Sequence, residues 1–265
     1  MAMQFYPPTS LLPYALLAAI LLTSSSSAAL AADVKGPDDW RFDVMPYGWA
    51  AGIGADPQRG GAAWIGFDRI LDDLDMAFMG AFAASKGKWR FDADIIYMKL
   101  SEKDSGALTV PLGPGIPASA SVRVDLKAWI LNPNVRYRFY ETDKLELSAL
   151  AGARYLSIEG GMNLAVVSPL GRIAGDLAGT KRWWDGVIGI SGHYNLTKGW
   201  YVPFLFDMGT GDSQFTWQAV AAVGYRFERV DAVVGYRHIA WDFKGGGALN
   251  ALFVTGPYVG LAFSF

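Results

Sequence analysis

Residues 253–265 end the chain with the sequence FVTGPYVGLAFSF. Val259, Leu261, Phe263 and Phe265 alternate with small or polar residues, which places all four on one face of an extended strand. The stretch contains no charged residue. An unpaired apolar edge strand promotes aggregation, whereas a closed membrane barrel pairs its last strand with its first and turns the apolar face to lipid. The stretch therefore favours a membrane barrel over a buried strand of a soluble β protein.

The composition of the 265-residue chain agrees with this interpretation. It has 31 glycines, 14% aromatic residues and no cysteine, which suits a β protein that crosses an oxidising compartment without disulfides. The net charge of −2 gives no support for a nucleic-acid partner. After residue 31 no apolar run approaches the ~20 residues that a spanning helix needs, so we expect strands to cross the membrane.

The C-terminal stretch resembles the final strand of bacterial outer-membrane β-barrel proteins, which ends on Phe after apolar residues at alternate positions. The resemblance implies that the barrel-assembly machinery reads this strand, and that outer-membrane lipid and lipopolysaccharide surround the folded protein. A wider resemblance, to poorly characterised proteobacterial barrels of the OmpA/OmpW-like kind, covers most of the mature chain and implies no catalytic signature. It is carried by Trp183–Phe243, Pro46–Ala50, Ile70–Asp75 and Asp125–Lys127.

The first thirty residues differ from the rest of the chain. A short apolar run, Leu11–Leu22, is followed by four serines and then by Ala29-Leu30-Ala31, an A-x-A cleavage site. Residues 1–10 lack the usual Lys or Arg. We interpret residues 1–31 as a signal peptide and residues 32–265 as a barrel that is exported through the periplasm to the Gram-negative outer membrane.

Ten segments of period two follow from about residue 40, and the connections between them differ in length. Short turns follow the even-numbered strands, while most odd-numbered strands precede longer loops, including those predicted at 101–119 and 159–180. Outer-membrane barrels show this asymmetry and an even strand count. The sequence thus predicts an all-β, antiparallel, up-and-down transmembrane barrel of ten strands, with eight or twelve as alternatives. Phe67–Leu74 spaces its apolar residues three and four apart, which predicts one or two helical turns within a loop.

The predicted strand 214–228 has the clearest two faces. Its apolar face carries aromatic residues at both ends and small aliphatic residues between them, as girdles that flank a hydrocarbon band require. The predicted girdle residues of this and other strands are Trp89, Tyr97, Phe215, Trp217, Tyr225, Phe227, Phe263 and Phe265.

The predicted strand 121–140 changes its apolar parity. Val124 and Ile130 share even numbers, whereas Val135 and Tyr137 share odd ones. One extra residue flips every later side chain, and a bulge also accommodates a proline. We therefore expect a β-bulge at residues 132–134.

Charged and polar residues collect on the predicted inner faces. A ten-stranded barrel is narrow, so these residues are either an ion-paired filling of the lumen or the lining of a narrow solute or ion pathway. The candidate pore-lining residues are Asp92, Asp94, Arg123, Asp125, Lys127, Arg136, Arg138, Glu146, Arg154, Asp207, Gln218, Arg226 and Arg237.

Signals for catalysis are weak. The chain has two histidines. His193 falls at the periplasmic end, and His238 shares the parity of Tyr236 on the apolar face, where a girdle role fits better. Ser213 is the nearest outer-rim serine, with no fixed distance from His238. Two scattered histidines and no cysteine predict neither a cofactor nor a metal site. We expect a non-enzymatic protein with a structural or narrow-pore role; the alternatives are a lipid- or peptide-hydrolysing surface enzyme, or a receptor or adhesin.

Overall fold

The computed structural model describes residues 39–57, 63–104, 119–168, 171–228, 230–245 and 249–265. The predicted signal peptide lies outside these ranges. The described residues form one short helix, α1 (Phe67–Asp72), and twelve strands: β1 (Arg41–Trp49), β2 (Gly52–Pro57), β3 (Ala63–Ile65), β4 (Leu74–Lys86), β5 (Trp89–Asp104), β6 (Ser119–Glu141), β7 (Leu145–Ser168), β8 (Gly171–Thr197), β9 (Trp200–Gly211), β10 (Ser213–Arg226), β11 (Val230–Phe243) and β12 (Leu249–Ser264).

Ten of these strands close into a barrel. Strands β4 to β12 pair in sequence order, and β1 pairs antiparallel with both β4 and β12. The first and last strands thus meet, as in the Asp43↔Ser264 and Trp49↔Tyr258 pairs. This confirms the predicted all-β, antiparallel, ten-stranded transmembrane barrel. The two remaining strands, β2 and β3, form a hairpin at the outer end and are not part of the closed circle.

The first predicted strand is divided in two. Ala50 and Ala51 separate β1 from β2. Like β1, β2 pairs with β12, as in Ile53↔Val254. The pairing of β1 with β4 runs from Arg41↔Ser85 to Pro46↔Gly80. Proline has no backbone N–H to donate to a ladder, and the β1–β4 pairing ends at this residue.

The short turns lie at the same end of the barrel as the start of β1 and the end of β12. In outer-membrane barrels this is the periplasmic end. Gly87, Lys198 and Gly199 adopt positive φ angles of 58°, 45° and 90° in these turns, a conformation that glycine favours. The predicted helical turns at Phe67–Leu74 are confirmed by α1. Among the described residues, no helix is long and apolar enough to cross a membrane.

The loop predicted at residues 159–180 is wrong. Strands β7 and β8 pair without a shift from Leu145↔Tyr194 to Ser168↔Gly171, so most of this stretch is a hairpin that extends the barrel wall outward. Five of the residues 159–180 are glycine. The β7–β8 ladder formed nearer the periplasmic end continues through these glycines, because glycine retains both backbone hydrogen-bonding groups.

The outer face of the barrel carries two aromatic belts with aliphatic residues between them. Ring pairs at the periplasmic end include Trp89–Tyr137 at 4.8 Å and Trp200–Tyr225 at 4.9 Å; Tyr97–Trp129 at 4.5 Å lies at the other end. From Trp89 to Tyr97, the tilted strand rises about 20 Å along the membrane normal. Exposed Ile188, Val234 and Val259 face outward in the band between the belts. This closed barrel with an apolar band places the protein in the outer membrane.

Strand β6 contains no bulge at residues 132–134, and that prediction is wrong. Its pairing with β5 runs unbroken from Trp89↔Tyr137 to Asp104↔Val122, and the register shift to β7 falls between Arg138 and Tyr140 instead. The parity of the apolar residues changes because the inner face changes in character. The inward residues are apolar in the outer half of the strand and polar in the periplasmic half.

Candidate functional site

Ion pairs fill the periplasmic half of the lumen. The Arg90 guanidinium contacts the carboxylates of Asp43 at 2.5 Å and Asp92 at 2.8 Å, and Arg136 reaches the second oxygen of Asp92 at 2.8 Å. Closer to the short turns, Arg138 contacts Glu146 at 3.3 Å. Each acidic residue faces a guanidinium, so this half of the lumen holds paired charges.

A closed circuit of hydrogen bonds crosses the middle of the lumen. We call it the polar ring, and its members come from six strands: Asp94 (β5), Asn132 (β6), Arg154 (β7), Asp207 (β9), Gln218 (β10) and Arg237 (β11).

One half of the polar ring is held by Arg154. Its Nη2 donates to Asp207 at 2.5 Å, its Nε donates to the side-chain oxygen of Asn132 at 3.0 Å, and its Nη1 donates to Thr216 at 2.8 Å. The Asn132 amide then donates to Asp94 at 3.0 Å. One guanidinium therefore ties β6, β9 and β10 together across the lumen.

Arg237 holds the other half. Its Nη2 donates to Asp94 at 2.5 Å and to Gln218 at 2.8 Å, and the Gln218 amide donates to Asp207 at 3.2 Å. Tyr47 of β1 joins this half, because its hydroxyl donates to Asp94 at 2.6 Å and accepts from Arg237 at 3.0 Å. The first strand is thus fastened to the ring by a side chain as well as by its backbone.

The polar ring closes the lumen. The side chains of Arg154 and Asp207 are 0% and 1% exposed, and Asn132, Gln218 and Arg237 are buried. Its two arginines balance its two aspartates, so it holds no net charge. On its outer side the guanidiniums lie near indole rings, Arg237 at 5.2 Å from Trp49 and Arg154 at 6.0 Å from Trp241. Direct contacts between side chains from around the barrel cross the middle of the lumen, and a smaller cavity of about 200 Å³ beside the ring is lined by Asp92, Asn134 and Arg136 together with ring residues.

An apolar cavity of about 780 Å³ lies on the outer side of the ring. None of its lining residues is charged. Of the polar atoms at its floor, the Tyr47 hydroxyl donates to Asp94 and the Trp49 indole N–H donates to the carbonyl of Gly256 at 3.0 Å, so both are already satisfied within the protein. The inward side chains that line the cavity include Ile96, Met98, Leu126, Ile130, Leu156 and Val254.

Helix α1 covers part of this cavity. Its apolar residues Phe67, Ile70 and Leu71 line the cavity, and Ile70 is 5% exposed. The three- and four-residue spacing that predicted the helix is the spacing that puts these side chains on one face. The helix between β3 and β4 therefore extends the apolar surface of the lumen.

Most of the predicted pore-lining residues face the lumen, and two do not. Asp125 accepts a hydrogen bond from Ser101 at 2.8 Å, and Lys127 contacts Glu159 at 3.1 Å, both on the outer surface. Their neighbours Leu126 and Ala128 are the ones that line the cavity, so placing Asp125 and Lys127 in the lumen is corrected here. Arg123 lies outside the residues whose side chains are described. The predicted residues found in the lumen are Asp92, Asp94, Arg136, Arg138, Glu146, Arg154, Asp207, Gln218, Arg226 and Arg237.

The histidines occupy different environments. His238 faces outward between Trp217, at 4.5 Å, and Phe253, at 5.7 Å, which matches the girdle position that its parity predicted. Ser213 points the other way: it is buried and donates to Asp185 at 2.7 Å, so it does not form a pair with His238. His193 lies 4.0 Å from Glu146 near the periplasmic end. Within the described ranges, no group of three or more His, Asp or Glu residues could hold a metal ion.

Sequence reasoning missed one residue of the ring, Asn132, two partners of ring residues, Tyr47 and Thr216, and the whole cavity. Asn132 has the inward parity of Ile130, but its place beside Pro133 suggested a bulge. Tyr47 lies in the Pro46–Ala50 stretch, which carries part of the family resemblance but has no charged residue to indicate a lumen contact. Thr216 fell on the polar face of β10 without an evident partner. The even-numbered apolar residues of β6 were the available signal for the cavity, because an apolar inner face requires an apolar interior.

No protein-family model and no curated protein matches the chain. Several solved barrel structures are similar in shape. A mutant of TodX, a monoaromatic hydrocarbon channel, has a TM-score of 0.37 at 10% identity, covering 87% of this chain and 91% of its own. Neisserial surface protein A has a TM-score of 0.33 at 13% sequence identity, covering 85% of this chain and 97% of its own. Ail, the attachment invasion locus protein of Yersinia pestis, has a TM-score of 0.35 at 9% sequence identity, covering 86% of this chain and 99% of its own. At such low identities and scores these similarities assign neither a ligand nor a mechanism.

Proposed function

We propose that this outer-membrane barrel binds uncharged, hydrocarbon-like small molecules in the apolar cavity, as a non-enzymatic protein for the passage of such solutes. The observation that carries the proposal is the cavity of about 780 Å³ with no charged lining residue. Pockets of about 300–1,000 Å³ with mostly hydrophobic walls are typical of small-molecule sites. The sequence predicts a structural or narrow-pore role, and of these the cavity supports a pathway for apolar solutes.

The chemistry of the cavity also selects against charged ligands. A carboxylate placed there would lose its hydration without gaining a cationic partner from the lining residues, which costs several kcal/mol. Fatty acids and other anions should therefore bind at least about 100-fold more weakly than the neutral hydrocarbon of the same size, since 1.4 kcal/mol corresponds to a factor of ten.

The polar ring speaks against an open water-filled pore. Ions or hydrophilic solutes on the outer side would have to break the buried Arg154–Asp207 and Arg237–Asp94 contacts to reach the periplasmic half. The ring also supports a structural contribution, since it joins seven strands when Tyr47 is included. The narrower OmpA/OmpW-like grouping, the lipopolysaccharide contact and the assembly machinery as a partner of β12 stay predictions.

Thiol protection tests the proposal, because the chain has no native cysteine to interfere. Met98→Cys places a single thiol in the cavity, and Ile95→Cys places one on the outward face of the same strand. In proteoliposomes, saturating naphthalene should slow N-ethylmaleimide labelling of Met98→Cys at least about tenfold, while 2-naphthoate and the Ile95→Cys control should show no slowing. Equal labelling of Met98→Cys with and without naphthalene would rule out the proposed ligand class.

A further inference from the structure

The wall of the barrel is incomplete between β1 and β4. Their ladder stops at Pro46↔Gly80, although β4 extends further outward to Leu74 and β1 continues to Trp49. Beyond Pro46, β1 follows β12: Tyr47 pairs with Gly260, and the Ala50 N–H donates to the Pro257 carbonyl at 2.9 Å. Among the described strands, residues 74–79 of β4 therefore pair with β5 alone.

The apolar cavity reaches the outside of the barrel at this place. Besides inward side chains, its lining includes Gly48, Pro257, Val259 and Val234. Val234 and Val259 face outward and are 60% and 56% exposed, and they adjoin Gly48 through the Val234↔Val259 and Gly48↔Val259 pairs. One continuous space thus contacts both surfaces of the wall.

Gly48 leaves this opening free. Gly48 lines the cavity, carries no side chain, and would meet nothing within 4 Å if a Cβ were built on it. The space beside Gly48 is therefore open, and a side chain introduced there would enter the space instead of clashing with the sheet.

The opening lies at the depth of the lipid tails. Along β12, Val259 is midway between Phe253, which stacks with His238 and Trp64 at the outer belt, and Phe265 at the periplasmic end. Each interval rises roughly 15 Å along the membrane normal for a strand tilted by about 40°. The outward residues next to the opening are apolar, Val234 and Val259 on one side and Met76 and Phe78 of β4 on the other, so it faces hydrocarbon rather than water.

We infer that the gap between β1 and β4 is a lateral portal, through which an uncharged apolar solute exchanges between the cavity and the interior of the outer membrane. This inference rests on the proposed function and adds the route. The polar ring blocks the direct path toward the periplasm, while the portal is lined by apolar residues throughout. A hydrocarbon solute that leaves sideways never has to enter water.

The test uses the thiol of Met98→Cys in proteoliposomes and two reagents. A pyrene maleimide dissolved in the bilayer should label it readily, and a sulfonated, membrane-impermeant maleimide should label it slowly. Adding Gly48→Leu and then Gly48→Trp should slow labelling by the pyrene reagent progressively, by at least about tenfold for Trp. Gly186→Trp, on the lipid-facing side of β8, is the matched control and should leave the rate unchanged. Heat-dependent gel mobility shows that each variant is folded.

The outcomes separate the route from the binding. If naphthalene still protects the thiol but Gly48→Trp labels at the parental rate, the lateral portal is wrong and the proposed function stands. If the sulfonated reagent labels faster than the pyrene reagent, solutes reach the cavity from water, which also overturns the portal. If naphthalene protects no variant, the proposed function itself fails.

Discussion

Arg154 shows how one side chain can hold a barrel closed. Its three donating nitrogens reach Asn132, Asp207 and Thr216 on three other strands, and the whole side chain is buried. A buried guanidinium is tolerated only when its donors are satisfied and its charge is paired. Both conditions are met here, so the residue contributes connectivity across the lumen that the backbone ladder alone does not provide.

Removing this guanidinium should destabilise the barrel strongly. Arg154→Ala leaves the Asp207 carboxylate buried beside Gln218 without its cation, and breaking a buried pair in this way costs about 3–5 kcal/mol. Urea unfolding of the protein in lipid vesicles, followed by tryptophan fluorescence, measures the loss.

Two companion variants make the measurement specific. Arg226 is 54% exposed and lies 3.7 Å from Asp231, so Arg226→Ala should cost no more than about 1 kcal/mol. The double change Arg154→Met with Asp207→Leu removes both charges and should recover most of the stability. A loss for Arg154→Ala as small as that for Arg226→Ala would show that the ring does not stabilise the fold.

At the scale of the element, β6 explains what the sequence could and could not predict. Alternation located the strand and its two faces, and the C-terminal strand predicted barrel closure correctly. Alternation does not say which face meets lipid, and the usual assumption is that the apolar face does. In the outer half of β6 the inner face is apolar as well, as Leu126 and Ile130 show. The assumption therefore predicts Asp125 and Lys127 in the lumen, which is wrong.

The pairing partners within the polar ring could not be predicted from the sequence for a different reason. Arg154 and Asp207 are 53 residues apart, and Asp94 and Arg237 are 143 apart. Parity places each residue inside the barrel, but the partner of each depends on the stagger between strands and on side-chain length. A lumen with several arginines and aspartates allows many pairings, and only coordinates select one.

Filling the cavity from β6 should abolish ligand binding without unfolding the barrel. Ala128 lines the cavity, and Ala128→Phe puts a ring into the space that the solute would occupy. We expect naphthalene protection of the Met98→Cys thiol to weaken at least about tenfold. Ala151→Phe, at an outward position of β7, adds the same group to the lipid face and should leave protection intact. Protection that persists in Ala128→Phe would place the bound solute elsewhere.

At the scale of the whole molecule, the lumen consists of two chemically different halves. The periplasmic half contains paired charges, the outer half has an apolar cavity and the buried Asp185–Ser213 pair, and the polar ring separates them. This division accounts for the change in the inner face of β6. Among the described residues, the lateral gap beside Gly48 is then the exit from the cavity that is lined by apolar residues.

Planar-bilayer recording of the refolded protein tests this division most directly. The unaltered barrel should show no steady conductance steps, because the ring fills its lumen. The variant with Asp94, Arg154, Asp207 and Arg237 all replaced by Ser removes the four charges together and should conduct, once its heat-dependent gel mobility shows that it is folded. Steps from the unaltered barrel that are as large as those from the fourfold variant would contradict a lumen closed by the polar ring.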